Sequence, residues 1–316
     1  MEKSININVH VAEYRGFCAG VDRAIEMVEK SLLKYGTPVY VRHEIVHNKY
    51  VVEGLKKKGV IFVESLADIP KNTKAPVIFS AHGVSKEVLL SAKNLKLFHL
   101  DATCPLVSKI HREVEILEKD EFKIIMIGHK YHPEVIGTIG QTDNNENIIL
   151  VESIEDVKKL QLDKNQKVAY VTQTTLSVFD TEGIVKAIKN KFPNVVEPKK
   201  SDICYATSNR QLSVQELAKK VDSFYVIGAN NSSNSIRLVE TAKLFGSKIS
   251  QLVENIDDFD FTTLKNFKNI GLTASASAPE ELIKKFVMKL REHYTITIND
   301  QKIPENVKFK VPNFLN

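Results

Sequence analysis

The stretch Asp101-Ala-Thr-Cys-Pro-Leu106 holds one of three cysteines and has two counterparts, Arg15-Gly-Phe-Cys-Ala-Gly-Val-Asp22 and Ser201-Asp-Ile-Cys-Tyr-Ala206. Each cysteine follows a short extended segment. Each is followed within a few residues by an amphipathic helical pattern, as in Val107-Ser-Lys-Ile-His-Arg-Glu-Val-Glu-Ile-Leu117. Cys18, Cys104 and Cys204 are the only cysteines in 316 residues, 86 and 100 positions apart, in the same strand-to-helix slot. They predict one site assembled from three copies of one unit.

Working outward from the cysteines, the repeat covers the chain. The first unit reads strand 5–12, the Cys18 loop, helix 21–35, strand 39–43, the His47-Asn48 loop, helix 50–58 and strand 60–64. Strand 76–81, the His82-Gly83 loop and helix 86–94 complete it. The second has strand 97–100, the Cys104 loop, helix 107–118, strand 122–127, the His132-Pro-Glu134 loop and a helix-like segment. Strands 148–152 and 167–172, the Gln173-Thr-Thr175 loop and helix 180–190 follow. The third has strand 194–197, the Cys204 loop, helix 211–220, strand 223–228, the Asn231-Ser-Ser-Asn234 loop, helix 236–245 and strand 248–254. It ends with strand 269–273, the loop Ala274-Ser-Ala-Ser277 and helix 280–291. The third strand closes alike each time, in Phe62-Val-Glu64, Leu150-Val-Glu152 and Leu252-Val-Glu254.

Short β-rich runs alternating with helical patterns imply parallel sheets with right-handed crossovers. The expected architecture is α/β, three pseudo-equivalent parallel-sheet lobes around one central cavity, with repeats at 1–96, 97–194 and 195–316. The last includes a tail with strand-like pieces at 296–298 and 307–311 and no functional reading. Ligands of such sheets bind beyond the carboxyl ends of the strands, where all nine special loops fall.

Composition narrows the classes. An apolar fraction of 43% and a charged fraction of 26% suit an ordinary soluble protein. No apolar run approaches the ~20 residues that span a bilayer, and the N-terminus carries neither a signal-peptide core nor an Arg-rich presequence. An odd, widely spaced set of cysteines is not a disulfide framework, so the cytoplasm is the expected compartment. The net charge of +5 is scattered. Lys56-Lys-Lys58 ends a helical pattern before Gly59, as a solvated helix end does, and no nucleic-acid face is expected.

A single cysteine is most often a buried small hydrophobe. Three in equivalent positions at helix starts are better read as thiolates, because a helix N-terminus lowers a thiol's pKa. With no C-x-x-C pair, they could hold a [4Fe–4S] cluster lacking its fourth protein ligand, or a Cys₃His zinc ion. His10, His99, His111 and His293 lie inside elements and read as core or surface residues. His47, His82 and His132 each open a helix at a strand end and suit a phosphate-like anion. Ser232, Ser233, Asn234 and Ser277 add neutral donors, although Asn231–Ser235 also reads as an N-cap cluster. Glu134 in an enclosed cavity would have a raised pKa and could donate a proton.

Several of these stretches carry a family resemblance: 15–24, Arg42-His-Glu-Ile-Val-His-Asn48, Ser80-Ala-His-Gly-Val-Ser85, 101–107, His132-Pro-Glu134, Thr172-Gln-Thr-Thr-Leu-Ser177, 202–207 and 231–235. Together they resemble the 4-hydroxy-3-methylbut-2-enyl diphosphate reductases. The resemblance implies reductive dehydroxylation of (E)-4-hydroxy-3-methylbut-2-enyl diphosphate to isopentenyl and dimethylallyl diphosphates at a [4Fe–4S] cluster with one open iron. It implies Cys18, Cys104 and Cys204 as ligands, and His47, His82, His132, Ser232, Ser233, Asn234 and Ser277 around the substrate. Thr174 would meet the reacting hydroxyl and Glu134 would supply protons. Ser275 stands where the family pattern leads one to expect a glycine. No Gly-x-Gly-x-x-Gly fingerprint is present, so a separate ferredoxin or flavodoxin would bring electrons. An open-iron hydro-lyase without net redox, or a non-catalytic metal or redox sensor, are the alternative functions.

Overall fold

A computed structural model describes residues 5–163 and 165–315. Residues 1–4, part of the segment read as lacking a leader, lie outside them, as do residues 164 and 316. In chain order, β1 (Asn6–Val11) leads to the first cysteine and α1 (Ala19–Tyr35). β2 (Val39–Arg42), α2 (Lys49–Lys57), β3 (Val60–Val63), β4 (Val77–Phe79) and α3 (Lys86–Asn94) follow. β5 (His99–Asp101) leads to the second cysteine and α4 (Pro105–Lys119). After it come β6 (Lys123–Ile127), α5 (Pro133–Ile139), β7 (Ile148–Val151), α6 (Ile154–Lys159), β8 (Val168–Thr172) and α7 (Val178–Lys191). The third cysteine precedes α8 (Tyr205–Ala218), then β9 (Ser223–Ile227), α9 (Ser233–Leu244), β10 (Ile249–Val253), β11 (Asn269–Ala274), α10 (Glu281–His293) and β12 (Thr295–Asp300).

The chain divides into two compact units, Met1–Ala19 with His47–Val51 and Tyr205–Lys308, and Gly20–Val46 with Val52–Cys204 and Phe309–Asn316. The first unit holds one parallel sheet, in the order β10-β9-β11-β1-β12. The second holds two parallel sheets, β3-β2-β4-β5 and β7-β6-β8. Three parallel sheets with helices are thus the architecture expected from the repeat.

Their strand membership is shifted against the expected boundaries. β5, placed at the head of the second repeat, pairs with β4, matching Ile78 with Leu100. β1 pairs with β11, matching Val9 with Ile270. The expected strand 194–197 is reduced to a single bridge, Ala169 with Val196, beside β8. Each extended segment that enters a cysteine loop therefore borders the sheet of the lobe before it in cyclic order. The tail's first piece is β12, which extends the same sheet through Ile7 and Ile296. The second, 307–311, is not a strand.

Burial on both faces explains the apolar runs. In β6, Ile124 and Met126 pack with Ile110, Val114 and Leu117 of α4. Ile125 and Ile127 face Ile184 and Ile188 of α7. β9 alternates likewise, with Tyr225 and Ile227 toward Phe286 of α10 and Phe224 and Val226 toward Leu238 and Ala242 of α9. Phe286 sits 5.0–6.0 Å from the rings of Tyr225, Phe259 and Phe261. Truncating such an aromatic costs ~3–5 kcal/mol.

Candidate active site

All three cysteines are half-buried and in no disulfide, and a helix starts at the very next residue in each case: Ala19, Pro105 and Tyr205. The backbone repeats as well. The N–H of Cys18 donates to the Ala276 carbonyl at 3.3 Å, that of Cys104 to Ala81 at 2.9 Å, and that of Cys204 to Thr174 at 3.1 Å. Each acceptor belongs to the loop that follows β11, β4 or β8. Three thiols at helix starts are donors of the kind that ligate an iron–sulfur cluster. Among the described residues, no three His, Cys, Asp or Glu side chains are grouped tightly enough to hold a single metal ion. Cluster thiolates bind different irons and need no such tight group.

In the unit carrying Cys104 and Cys204, His132 is the N-cap of α5, with Pro133 in the first turn. The Glu134 N–H donates to His132 Nδ1 at 3.2 Å, which leaves Nε2 as the protonated nitrogen of a neutral ring. Glu134, 3% exposed, points at Thr174. The Thr174 N–H donates to Oε1 at 2.6 Å and its hydroxyl to Oε2 at 2.8 Å. Burial raises the Glu134 pKa to about 7, against the two Thr174 hydrogen bonds, which lower it, and with a small upward push from Asp202. A carboxyl so placed holds a proton near neutral pH and is wired, through Thr174, to the loop that receives Cys204.

His82 lies in the loop beside Ala81, 5.8 Å from His132 ring to ring, with Ser80 Oγ 3.2 Å from its Nδ1. It does not open a helix: Ser85 caps α3, accepting from the Val88 N–H. The next residue, Gly83, adopts φ +83°, and a Cβ there would lie 2.6 Å from the His111 ring. That ring is kept neutral, its pKa lowered to about 4 by burial.

In the unit carrying Cys18, Ser232 caps α9 and its hydroxyl lies 3.4 Å from that of Ser277. Ser277 in turn donates to the His47 carbonyl at 2.9 Å. His47 stands one residue before Asn48, whose side chain accepts the Val51 N–H. Asn234 Oδ1 accepts the Ala276 N–H at 2.9 Å, whereas its buried Nδ2 has no hydrogen-bond partner. A buried donor of this kind is available to an acceptor on a ligand. Ser233 is half-buried in the first turn of α9. The buried Ser275 hydroxyl lies 3.4 Å from that of Ser277, in space left by Gly228, where a Cβ would come within 3.0 Å of it. The structure thus groups Glu134 and Thr174 with the Cys204 loop, His82 with His132, and Ser232, Asn234, Ser277 and the His47 backbone with the Cys18 loop.

Residues 9–291 match the sequence profile of the LytB protein family. The chain belongs to the LytB family. It is 50% identical over 309 residues to 4-hydroxy-3-methylbut-2-enyl diphosphate reductase 1 of Bradyrhizobium diazoefficiens, covering 98% of this chain and 96% of that protein. Against the reductase of Paracoccus denitrificans the identity is 49%, with 100% and 99% covered. The solved E-1-hydroxy-2-methyl-but-2-enyl-4-diphosphate reductase of Plasmodium falciparum superposes with a TM-score of 0.92 at 41% identity, covering 98% and 97%. The resemblance drawn from the motifs is borne out.

Two features of this LytB chain escaped the sequence reading. Glu152 and Glu254 accept the N–H groups of Lys130 and Asn230 at 2.7 Å each, so the repeated Val-Glu fastens the neighbouring loop. Asp202, quoted only as part of a motif, is buried, accepts the Thr172 N–H at 3.0 Å and pairs with Lys109. An aspartate two residues before a cysteine was the available signal.

Proposed function

We propose that this chain is a 4-hydroxy-3-methylbut-2-enyl diphosphate reductase, with Cys18, Cys104 and Cys204 holding a [4Fe–4S] cluster. The substrate's allylic C–O bond breaks, its oxygen leaves as water, and one C–H bond forms, consuming two electrons and two protons. The products are isopentenyl and dimethylallyl diphosphates. When bound, the cluster would pass on electrons received from a donor and offer a Lewis-acidic open iron.

The chain's own residues bind, orient and protonate. Glu134 delivers a proton to the departing hydroxyl, and Thr174, already bonded to both Glu134 oxygens, orients that oxygen. His132 donates from Nε2, since its Nδ1 is taken by the Glu134 N–H. Ser232, Ser233, Asn234, Ser277, His47 and His82 hold the diphosphate with donors that carry no negative charge. A soluble ferredoxin or flavodoxin supplies the electrons, in the cytoplasm. Among the described residues no helix is long and apolar enough to cross a membrane.

The observation that carries this reading is the buried Glu134–Thr174 pair, hydrogen-bonded into the loop that receives Cys204. The test is an anaerobic assay of the reconstituted protein with (E)-4-hydroxy-3-methylbut-2-enyl diphosphate and a chemical reductant. Formation of both isoprenoid diphosphates, stopping when reductant is withheld, is expected. Turnover without any reductant would instead mark a hydro-lyase.

A further inference from the structure

Three cations outside the site described above follow the cysteine repeat. Arg23, in α1 five residues after Cys18, donates to the carbonyl of Thr103, the residue before Cys104, at 3.1 Å. Lys109, in α4 five residues after Cys104, reaches the Lys200 carbonyl at 3.2 Å and the Asp202 carboxylate at 3.0 Å, just before Cys204. Arg210, in α8 six residues after Cys204, donates to the Gly16 carbonyl at 2.7 and 3.2 Å and to Phe17 at 3.3 Å, just before Cys18. Each helix that leaves one cysteine therefore carries a cation bound to the segment that enters another. Followed along the chain, the series closes on itself.

The cations are themselves anchored. Asp202 also accepts the Thr172 N–H, which joins the Lys109 contact to the end of β8. Arg210 is fully buried, and its charge is met by Glu305 at 3.1 and 3.2 Å, while Asn209 holds the same carboxylate at 2.9 Å. Arg23 Nε donates to the Lys310 carbonyl at 3.0 Å. Both of these partners belong to the tail beyond β12, which the sequence left without a role.

We propose that Arg23, Lys109 and Arg210 are positioning residues, each bracing the loop that enters the next cysteine so that its thiol is fixed for metal binding. Charge-assisted bonds to backbone carbonyls are stronger than neutral ones and hold a loop without a side chain entering the site. The inference rests on the cluster reading above only for what the thiols hold. The bracing is a property of the chain alone.

The test uses the full chain. Arg23→Met strands no counter-charge, because its contacts named here are carbonyls. Lys109→Met is combined with Asp202→Asn, so that no buried carboxylate is left unpaired. In the metal-free protein, hydrogen exchange should rise by roughly tenfold or more at the Cys104 amide in Arg23→Met, with the Cys18 amide unchanged. In the double variant it should rise at the Cys204 amide and not at Cys104. After anaerobic reconstitution, iron affinity in competition with a chelator should fall by about 10–100-fold, the usual consequence of losing a group that orients metal ligands. Arg23→Lys should restore most of both.

Unchanged exchange, or a uniform rise at all three cysteines, would overturn the proposal in favour of a general effect on stability. A local rise in exchange with iron held as firmly as in the parent would overturn the link to metal binding. A parent chain that takes up no iron would instead fail the cluster reading, and the exchange pattern would still decide the bracing.

Discussion

The loops 132–134 and 232–234 occupy the same place in two lobes and carry different head groups. Each follows the end of an interior strand and opens a helix, capped by His132 in one and Ser232 in the other. In each, the second helical residue uses a side-chain oxygen to accept a backbone N–H from the loop that also receives a cysteine amide. Glu134 accepts from Thr174 and Asn234 from Ala276. The frame is one and the head group differs. Glu134 has a second oxygen bound to the Thr174 hydroxyl and a pKa raised to about 7, so it can carry a proton. Asn234 cannot titrate and offers a buried N–H instead. A carboxylate there would repel a diphosphate, and an amide at 134 would have no proton to give. One repeated scaffold thus presents a titratable carboxyl in one lobe and a neutral amide donor in the other.

The harshest way to break this comparison is Glu134→Gln, which gives the second lobe the amide of the third. The carboxamide keeps size and shape but cannot deliver a proton, so anaerobic turnover should fall by ~10²–10⁴-fold. Iron content should stay at the parent level. Near-normal turnover with a full cluster would remove Glu134 from the chemistry. The reverse exchange, Asn234→Asp, preserves the acceptor for the Ala276 N–H and replaces only the donor. Losing a charge-assisted bond costs ~1.5–3 kcal/mol and a like charge against the diphosphate adds to that. A rise in KM of about 100-fold or more is expected, with iron content unchanged. An unaltered KM would mean that the amide does not face the anion.

Much of this was legible beforehand, because the site is built from loop punctuation. Cys104, His132, Glu134 and Ser232 stand at strand ends, where a break in hydrophobic period is visible in one dimension. Helix α3 was placed at its observed limits, since Ser85 caps it and its pattern ends at Asn94. α8 was expected only from Gln211, six residues late. It has no single apolar stripe, because Ala206, Thr207, Arg210, Gln211 and Val214 are all buried. Short, polar α6 was missed for a related reason, its one buried side chain being Val157. Lobe membership was illegible on different grounds. Parallel pairing joins β1 to β11 across about 260 residues, and nothing in β1 itself names its partner. The same holds for the Arg210–Glu305 pair, 95 residues apart, where the sequence shows two surface-type residues and the fold buries one completely.

The finest probe of the Glu134 environment is the partner that Asn234 lacks. The Thr174 hydroxyl favours the ionised carboxylate and so holds the Glu134 pKa down against burial. Turnover should need the protonated form and decline as pH rises through about 7. In Thr174→Val that hydrogen bond is gone, and the alkaline limb should move upward by up to about one unit, since a hydrogen bond of ~1 kcal/mol corresponds to somewhat less than one pKa unit. The height of the profile will fall too if Thr174 orients the substrate, but the position of the limb reports the carboxyl alone. A readout free of turnover has a definite sign. With the native pKa raised above 4.5, the folded state binds the extra proton, so this group's stabilisation is complete below pH 4.5 and is lost as pH rises through 7. The metal-free parent should therefore lose stability relative to Glu134→Gln across that window, by at most about 1.4 kcal/mol per pH unit. A limb that moves downward in Thr174→Val, or persists unchanged in Glu134→Gln, would assign the titration to another group.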